Sequence, residues 1–312
     1  MVLLRDLFIG LSTSKSARSF VTGFAPARRV AHRFVAGKTM AEAVAVVKGL
    51  NARGIKAILN EVGESVATEA EANEAAQVFH ELLACIDSEG LDADISLKPS
   101  HVGLTFGPDL FYENVADIVQ AAQTYDNIVE IDMEGGADVD ATLEVYHRLV
   151  DTFGAGCIRL AVQSYLYRTP ADVQRIIERG GTIRLVKGAY QEPPDIAYQD
   201  NSEINAATIE IMAAFLTPEA RETGASLILG SHDPGLIKWL IGAAEERGFA
   251  KDQFEFQMLL GVRRDEQQRL ADLGYRIRVY VPFGSAWYPY FMRRLAERPA
   301  NVLFILRALA GK

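Results

Sequence analysis

Tyr290, Arg293, Arg294 and Glu297 are spaced i, i+3, i+4 and i+7, so on a helix all four share one face. Two adjacent arginines beside a tyrosine can grip a carboxylate through forked, charge-assisted hydrogen bonds, with Glu297 steadying one guanidinium from the next turn. A solvated surface helix with an i, i+3 ion pair has the same spacing. What favours the clamp is its lead-in: residues 279–292 are fourteen positions without Lys, Arg, Asp or Glu and rich in aromatics, a stretch poorly suited to full solvation.

A second group lies in the tract Arg184-Leu185-Val186-Lys187-Gly188-Ala189-Tyr190. Gly188 permits close backbone approach and Lys187 can neutralise a phosphate, which suits a phosphorylated cofactor, although a solvated strand-end lysine is the plainer reading. Lys98 and Lys187 are also candidates for a Schiff base. Against that, Asp132 and Glu134 on a neighbouring strand end would keep Lys98 charged. A structural Lys98–Asp132 ion pair and a catalytic role stand level at this point.

The elements that must position these groups follow from periodicity. From Gly54 onward, short β-branched runs alternate with Ala/Glu/Gln-rich helical stretches, the signature of βα units around a parallel sheet. Strands are expected at 55–61, 93–98, 128–133, 157–163, 182–187, 226–232, 255–259 and 276–281. Helices are expected at 68–88, 109–125, 138–153, 169–179, 201–215, 234–247 and 264–273, with a last one from 285 to 298. Thr169-Pro170 and Asp233-Pro234 act as start signals.

Eight strands each followed by a helix, over about 250 residues, imply a (β/α)₈ barrel of α/β class, residues 51–312, behind an N-terminal helical segment, residues 1–50. In that segment Leu3, Leu4, Leu7, Phe8 and Leu11 share one face and 41–50 is a second apolar-periodic stretch. A doubly wound dinucleotide fold lacks its fingerprint, since Gly154-Ala155-Gly156 precedes a strand rather than following one. In a barrel the chemistry stands at the C-terminal strand ends. These carry Asn60 and Glu61, Lys98, Asp132 and Glu134, Gln163, Arg184 and Lys187, Ser231 to Asp233, Gln257 and Tyr280.

Composition narrows the function further. A net charge of −9 disfavours nucleic acid as a partner. Residues 1–38 nevertheless hold seven Lys and Arg against one acid, a bias compatible with packed helices, a presequence or a peripheral membrane contact. Two cysteines, Cys85 and Cys157, make no disulfide framework and read as buried apolar groups. The five histidines (His32, His80, His101, His147, His232) form no ligand spacing, so no metal is expected, and no G-x-S-x-G marks a hydrolase. No apolar run reaches the roughly 20 residues of a spanning helix.

Taken together, Ser96-Leu97-Lys98-Pro99, Glu130-Ile131-Asp132-Met133-Glu134, Gln163-Ser164-Tyr165, the Arg184 to Tyr190 tract, Gly230-Ser231-His232-Asp233, Phe256 to Gly261, Val279 to Gly284 and Tyr290 to Glu297 resemble the monofunctional flavin-dependent proline dehydrogenases over about residues 50–310. That resemblance implies oxidation of L-proline to 1-pyrroline-5-carboxylate in a distorted TIM-like barrel carrying FAD, with electrons passed to a membrane quinone. It implies that Arg293, Arg294 and Lys98 hold the substrate carboxylate, that Tyr280 and Leu259 pack the ring, and that Tyr290 and Ala189 complete the pocket. Glu297 supports the clamp. Asp132, Arg184 and Tyr280 would be the catalytic group, and Met133, Gln163, Arg184, Lys187, Gly188, Ala189, Ser231, His232 and Gln257 would meet the FAD. The expected location is the cytoplasm, peripheral at the inner face of a bacterial membrane, or the mitochondrial matrix for a eukaryotic source. The competing readings are a hydroxyproline or folate oxidoreductase, a lysine-based lyase, and a non-catalytic barrel.

The clamp reading predicts that Arg294→Met raises the Michaelis constant for proline by the worth of a charge-assisted contact, about 1.5–3 kcal/mol or at least tenfold. Steady-state kinetics checks it, and an unchanged constant removes Arg294 from the substrate site.

Overall fold

The computed structural model of the protein describes residues 31–63, 66–288 and 290–292. The Leu3 to Leu11 face, Arg293, Arg294 and Glu297 lie outside them. Eight parallel strands close into a barrel in chain order: β1 (Lys56–Glu61), β2 (Ala93–Leu97), β3 (Val129–Ile131), β4 (Ile158–Gln163), β5 (Thr182–Val186), β6 (Ser226–Gly230), β7 (Phe254–Leu259) and β8 (Arg276–Phe283). Closure is a parallel pairing of β1 with β8, in which Ile58 lies opposite Tyr280 and Glu61 opposite Phe283. The TIM-like barrel read from the alternation of elements is the fold observed.

Around it run α1 (Met40–Asn51), α2 (Glu69–Ser88), α3 (Pro108–Thr124), α4 (Val139–Phe153), α5 (Thr169–Glu178), α6 (Asn201–Phe215), α7 (Pro218–Thr223), α8 (Pro234–Glu246) and α9 (Arg264–Asp272). Several starts are fixed by local chemistry. Thr39 and Glu42 form a reciprocal capping box on α1, and Asp233 caps α8 by accepting from the Gly235 amide at 2.9 Å. Thr169 is the first residue of α5 rather than its cap: its hydroxyl donates to the Gln163 carbonyl at 2.6 Å, tying the helix back to the end of β4. The short α7 falls between the helix and the strand expected at 201–215 and 226–232, where Thr217 and Pro218 supply a cap and a first turn.

Successive residues of a strand point to opposite faces, and here the two faces differ in kind. The outward residues, such as Leu59, Ile95, Ile131, Leu160, Leu185, Leu229, Phe256 and Val279, join the helices' Phe79, Leu82, Phe111, Ile118 and Leu149 in one buried apolar cluster. Helix α1 contributes Ala43, Val44, Val47 and Leu50 to the same cluster. The inward positions instead carry Asp94, Ser96, Glu130, Asp132, Arg159, Arg184, Glu255, Gln257, Arg278 and Tyr280. Branched apolar residues usually fill this space.

Buried charge survives only when paired. In the lower interior Arg278, 4% exposed, donates through Nε to Glu255 at 2.9 Å and through Nη1 to the Ala57 carbonyl at 2.8 Å. It also lies 3.0 Å from Asp94, which takes a 2.6 Å hydrogen bond from Arg159. Arg278→Leu would strand Glu255 without its cation, and the predicted cost is about 3–5 kcal/mol of unfolding free energy. Urea denaturation measures it, and a loss below about 1 kcal/mol contradicts the pairing.

Candidate active site

The upper half of the same inward face forms a cluster centred on Asp132, one residue beyond β3. Its amide still bonds the Leu97 carbonyl at 2.8 Å, so the carboxylate is held in strand geometry although β3 proper is only three residues long. One oxygen, Oδ1, accepts from the Ser96 hydroxyl at 2.8 Å and from Arg184 Nη2; the other, Oδ2, accepts from Lys98 Nζ at 3.0 Å and the Tyr280 hydroxyl at 2.9 Å. Burial alone would raise the Asp132 pKa, but the Lys98 ammonium and the Arg184 guanidinium outweigh it and hold the carboxyl well below the usual aspartate range.

Arg184 reaches across the barrel from β5. Its Nη1 donates to Glu130 and its Nη2 to Asp132, two carboxylates of the same inward parity on one stretch of chain. Burial opposes its charge, yet these two acids raise its pKa above the ordinary arginine value. The guanidinium carbon lies 5.4 Å from the centre of the Tyr280 ring. Gly230 on β6 makes the passage possible, since a Cβ there would come within 2.8 Å of Val186 Cγ1 and 3.2 Å of Arg184 Cγ. Glu130 accepts on its other oxygen from Gln257 Nε2 at 3.0 Å, and the same amide group reaches Glu255 at 3.2 Å. A polar chain therefore runs from Asp94 and Arg278 up to Asp132.

The Tyr280 hydroxyl is an aspartate-bound donor in a buried site. Burial and the Asp132 charge push its pKa well above the ordinary tyrosine value, so it stays protonated. Lys98 is 30% exposed at the side chain, which leaves ammonium hydrogens facing the mouth of the barrel. Lys187 pairs with Asp233 at 2.8 Å, which places it beside the first turn of α8.

The remaining expected cofactor residues line the same rim. Gly188 has φ +123°, and a Cβ there would strike the Tyr165 ring at 2.5 Å, so that position admits only glycine. Ala189 beside it is exposed and Met133 is buried. Ser231 accepts from the Asp233 amide at 3.2 Å. His232 Nε2 accepts from the Leu259 amide at 2.9 Å, which puts a ring proton on Nδ1 when the imidazole is neutral. Gln267 fixes the other side of that residue by donating to the Leu259 carbonyl at 3.1 Å.

Three buried polar atoms among these residues have no protein partner: Gln163 Oε1, Gln257 Oε1 and Arg184 Nε. An unmet buried polar atom costs about 1–3 kcal/mol, and three on inward positions of β4, β5 and β7 fit a bound group with donors and an acceptor of its own. Together with the Gly188 cradle, the residues present fit a flavin. Among the described residues no His, Cys, Asp and Glu cluster is arranged to hold a metal ion.

Tyr290 is 6% exposed and belongs to a second buried cluster with Phe34, Val35, Val62, Trp287, Tyr288 and Phe291, which sets the lead-in to the arginine pair against the segment before α1. The aromatics of that lead-in, Tyr280, Phe283, Trp287, Tyr288, Tyr290 and Phe291, are buried, as a stretch poorly suited to full solvation should be. Strand-end reading missed Ser96, Glu130, Glu255 and Arg278, because they lie inside the strands, two residues before Lys98, Asp132, Gln257 and Tyr280. Their signal was parity: a charged residue two places before Asp132, Gln257 or Tyr280 occupies the same inward face.

The chain matches the family described as proline dehydrogenase over residues 43–307. It is 36% identical to proline dehydrogenase 1 of Bacillus subtilis subsp. natto, covering 99% of this chain and 100% of that protein. It is also 36% identical to the proline dehydrogenase of Deinococcus radiodurans, covering 90% of each. Among solved structures, proline utilization A from Bdellovibrio bacteriovorus superposes with a TM-score of 0.84 over 99% of this chain and 38% of its own, at 20% identity, a likeness of fold.

The depressed Asp132 pKa has a consequence for stability. A carboxyl whose folded pKa lies below its unfolded value contributes stability that is full above the unfolded value, about 4, and is lost as pH falls from there toward the folded pKa. Asp132→Asn is therefore predicted to be less stable than the parent by a constant margin from pH 8 to 5. The margin should narrow below about pH 4. Urea unfolding at several pH values checks this, and a margin that widens in acid contradicts it.

Proposed function

The chain belongs to the proline dehydrogenase family, whose reaction is the first step of proline catabolism, and on that premise we propose that it oxidises L-proline to 1-pyrroline-5-carboxylate using FAD, with a membrane quinone as the final acceptor. The flavin, when bound, supplies the two-electron redox chemistry. The observation that carries the reading is the Asp132–Arg184–Lys98–Tyr280 cluster, together with the unmet polar atoms of Gln163, Arg184 and Gln257 on the inward face of the barrel.

Each residue then has a task that its surroundings suit. The spare hydrogens of Lys98, with Arg293 and Arg294, bind the substrate carboxylate, and the forked arginines fix its orientation. Tyr280 and Leu259 hold the ring by contact, and Tyr290 closes the pocket from the aromatic cluster. Reaction requires the neutral secondary amine. With Asp132 and Glu130 already matched by Lys98 and Arg184, the pocket offers no free carboxylate to hold the substrate ammonium, which favours loss of its proton. Arg184, with its unmet Nε–H, would supply the positive charge and donor that stabilise negative charge on the cofactor. Gln163, Lys187, Gly188, Ala189, Met133, Ser231, His232 and Gln257 bind and orient the cofactor.

A peripheral membrane contact is supported by the basic balance of residues 1–38, which suits anionic lipid. Among the described residues no helix is long and apolar enough to cross a membrane. The lysine-lyase reading is weakened because Lys98 and Lys187 are each engaged by a carboxylate. The test is the visible spectrum of purified protein before and after L-proline is added without oxygen. A flavin band that bleaches with proline is expected. A band that stays oxidised moves the substrate elsewhere, and a colourless protein that takes up no FAD overturns the cofactor reading.

A further inference from the structure

We propose that Glu130 is a positioning residue that locks the Arg184 guanidinium in place and, through its negative charge, sets how strongly the site favours the reduced cofactor. The inference rests on the flavin reading above and extends it to a residue outside the expected site.

Glu130 is 0% exposed, and each of its oxygens has one partner: Arg184 Nη1 on one, Gln257 Nε2 at 3.0 Å on the other. A carboxylate this deep is costly unless it is paired, and Arg184 is the partner in contact with it. The fork that Glu130 and Asp132 make leaves the guanidinium plane no freedom to swing. Both outer nitrogens face the β3 side, and the Nε–H remains without a protein acceptor. Gly230 leaves room for this one path of the side chain.

The charges give Glu130 a second effect. Lys98 and Arg184 balance Glu130 and Asp132, so the cluster beneath the cofactor rim is neutral with Glu130 ionised and carries one net positive charge without it. Burial raises the Glu130 pKa above the ordinary glutamate value, with Arg184 and, more weakly, Arg159 acting against that rise; it is the direct contact with the Arg184 guanidinium that matches the carboxylate charge. Reduction adds negative charge to the cofactor. A buried carboxylate one guanidinium away therefore opposes reduction, and its removal should favour it.

The substitution Glu130→Gln preserves shape and removes the charge, and its side-chain oxygen can still accept from Arg184 Nη1. Spectroelectrochemical titration of the flavin-loaded protein is expected to give a midpoint potential raised by about 30 mV or more, a tenfold change in a two-electron equilibrium. Glu130→Asp retains the charge and is expected to stay within about 15 mV of the parent, a threefold change. It is measured alongside, and its prediction stands alone should Glu130→Gln fail to fold. An unmoved or lowered potential in Glu130→Gln, or an equal rise in Glu130→Asp, overturns the inference while leaving the cofactor reading intact. A parent protein that takes up no flavin overturns both.

Discussion

The buried ion pair between Arg184 and Asp132 is the interaction on which the upper barrel depends. Once an arginine crosses the interior from β5, every neighbour must either neutralise it or give it room. Glu130 and Asp132 neutralise it, Gly230 gives it room, and Lys98, Ser96 and Tyr280 meet the remaining lone pairs of Asp132. Charge removed from water has to be matched closely in space, and that demand converts a set of separate strand ends into one rigid unit.

The demand extends downward. Gln257 couples Glu130 to Glu255, which pairs with Arg278, and Arg278 in turn meets Asp94, which also pairs with Arg159. Four acids and four bases, counting Lys98 and Arg184, fill an interior that an ordinary barrel packs with branched apolar side chains. The outward faces supply the hydrophobic stability and the inward faces supply order. Alternation along each strand lets both requirements be met by the same eight segments.

Much of this was legible in the residues. Apolar runs of five or six, separated by amphipathic stretches, placed all eight strands to within a few positions, and their closure in chain order followed from the βα rhythm. The polar rim was legible too, because a barrel confines chemistry to strand ends: Lys98, Asp132, Arg184 and Tyr280 come together as expected. What end-reading could not supply was depth. Glu130 and Arg278 sit inside runs such as Val129–Ile131 and Arg276–Phe283, where a lone charge in an apolar context reads as an exposed edge until closure turns that face inward. Thr169-Pro170 marked a helix start, and the helix does begin at Thr169; what the pair did not show is that the Thr169 hydroxyl serves the Gln163 carbonyl, a contact set by the β4 end.

The central claim is that Asp132 and Arg184 act as one buried unit. A double-mutant cycle on Asp132→Asn and Arg184→Met, read by urea unfolding of the flavin-loaded protein, tests it most directly. Each single change leaves a buried charge one partner short, so the double variant should be less destabilised than the sum, with a coupling energy of about 2–3 kcal/mol. Additive losses, within about 0.5 kcal/mol, would mean that the two residues are independent and would contradict the account.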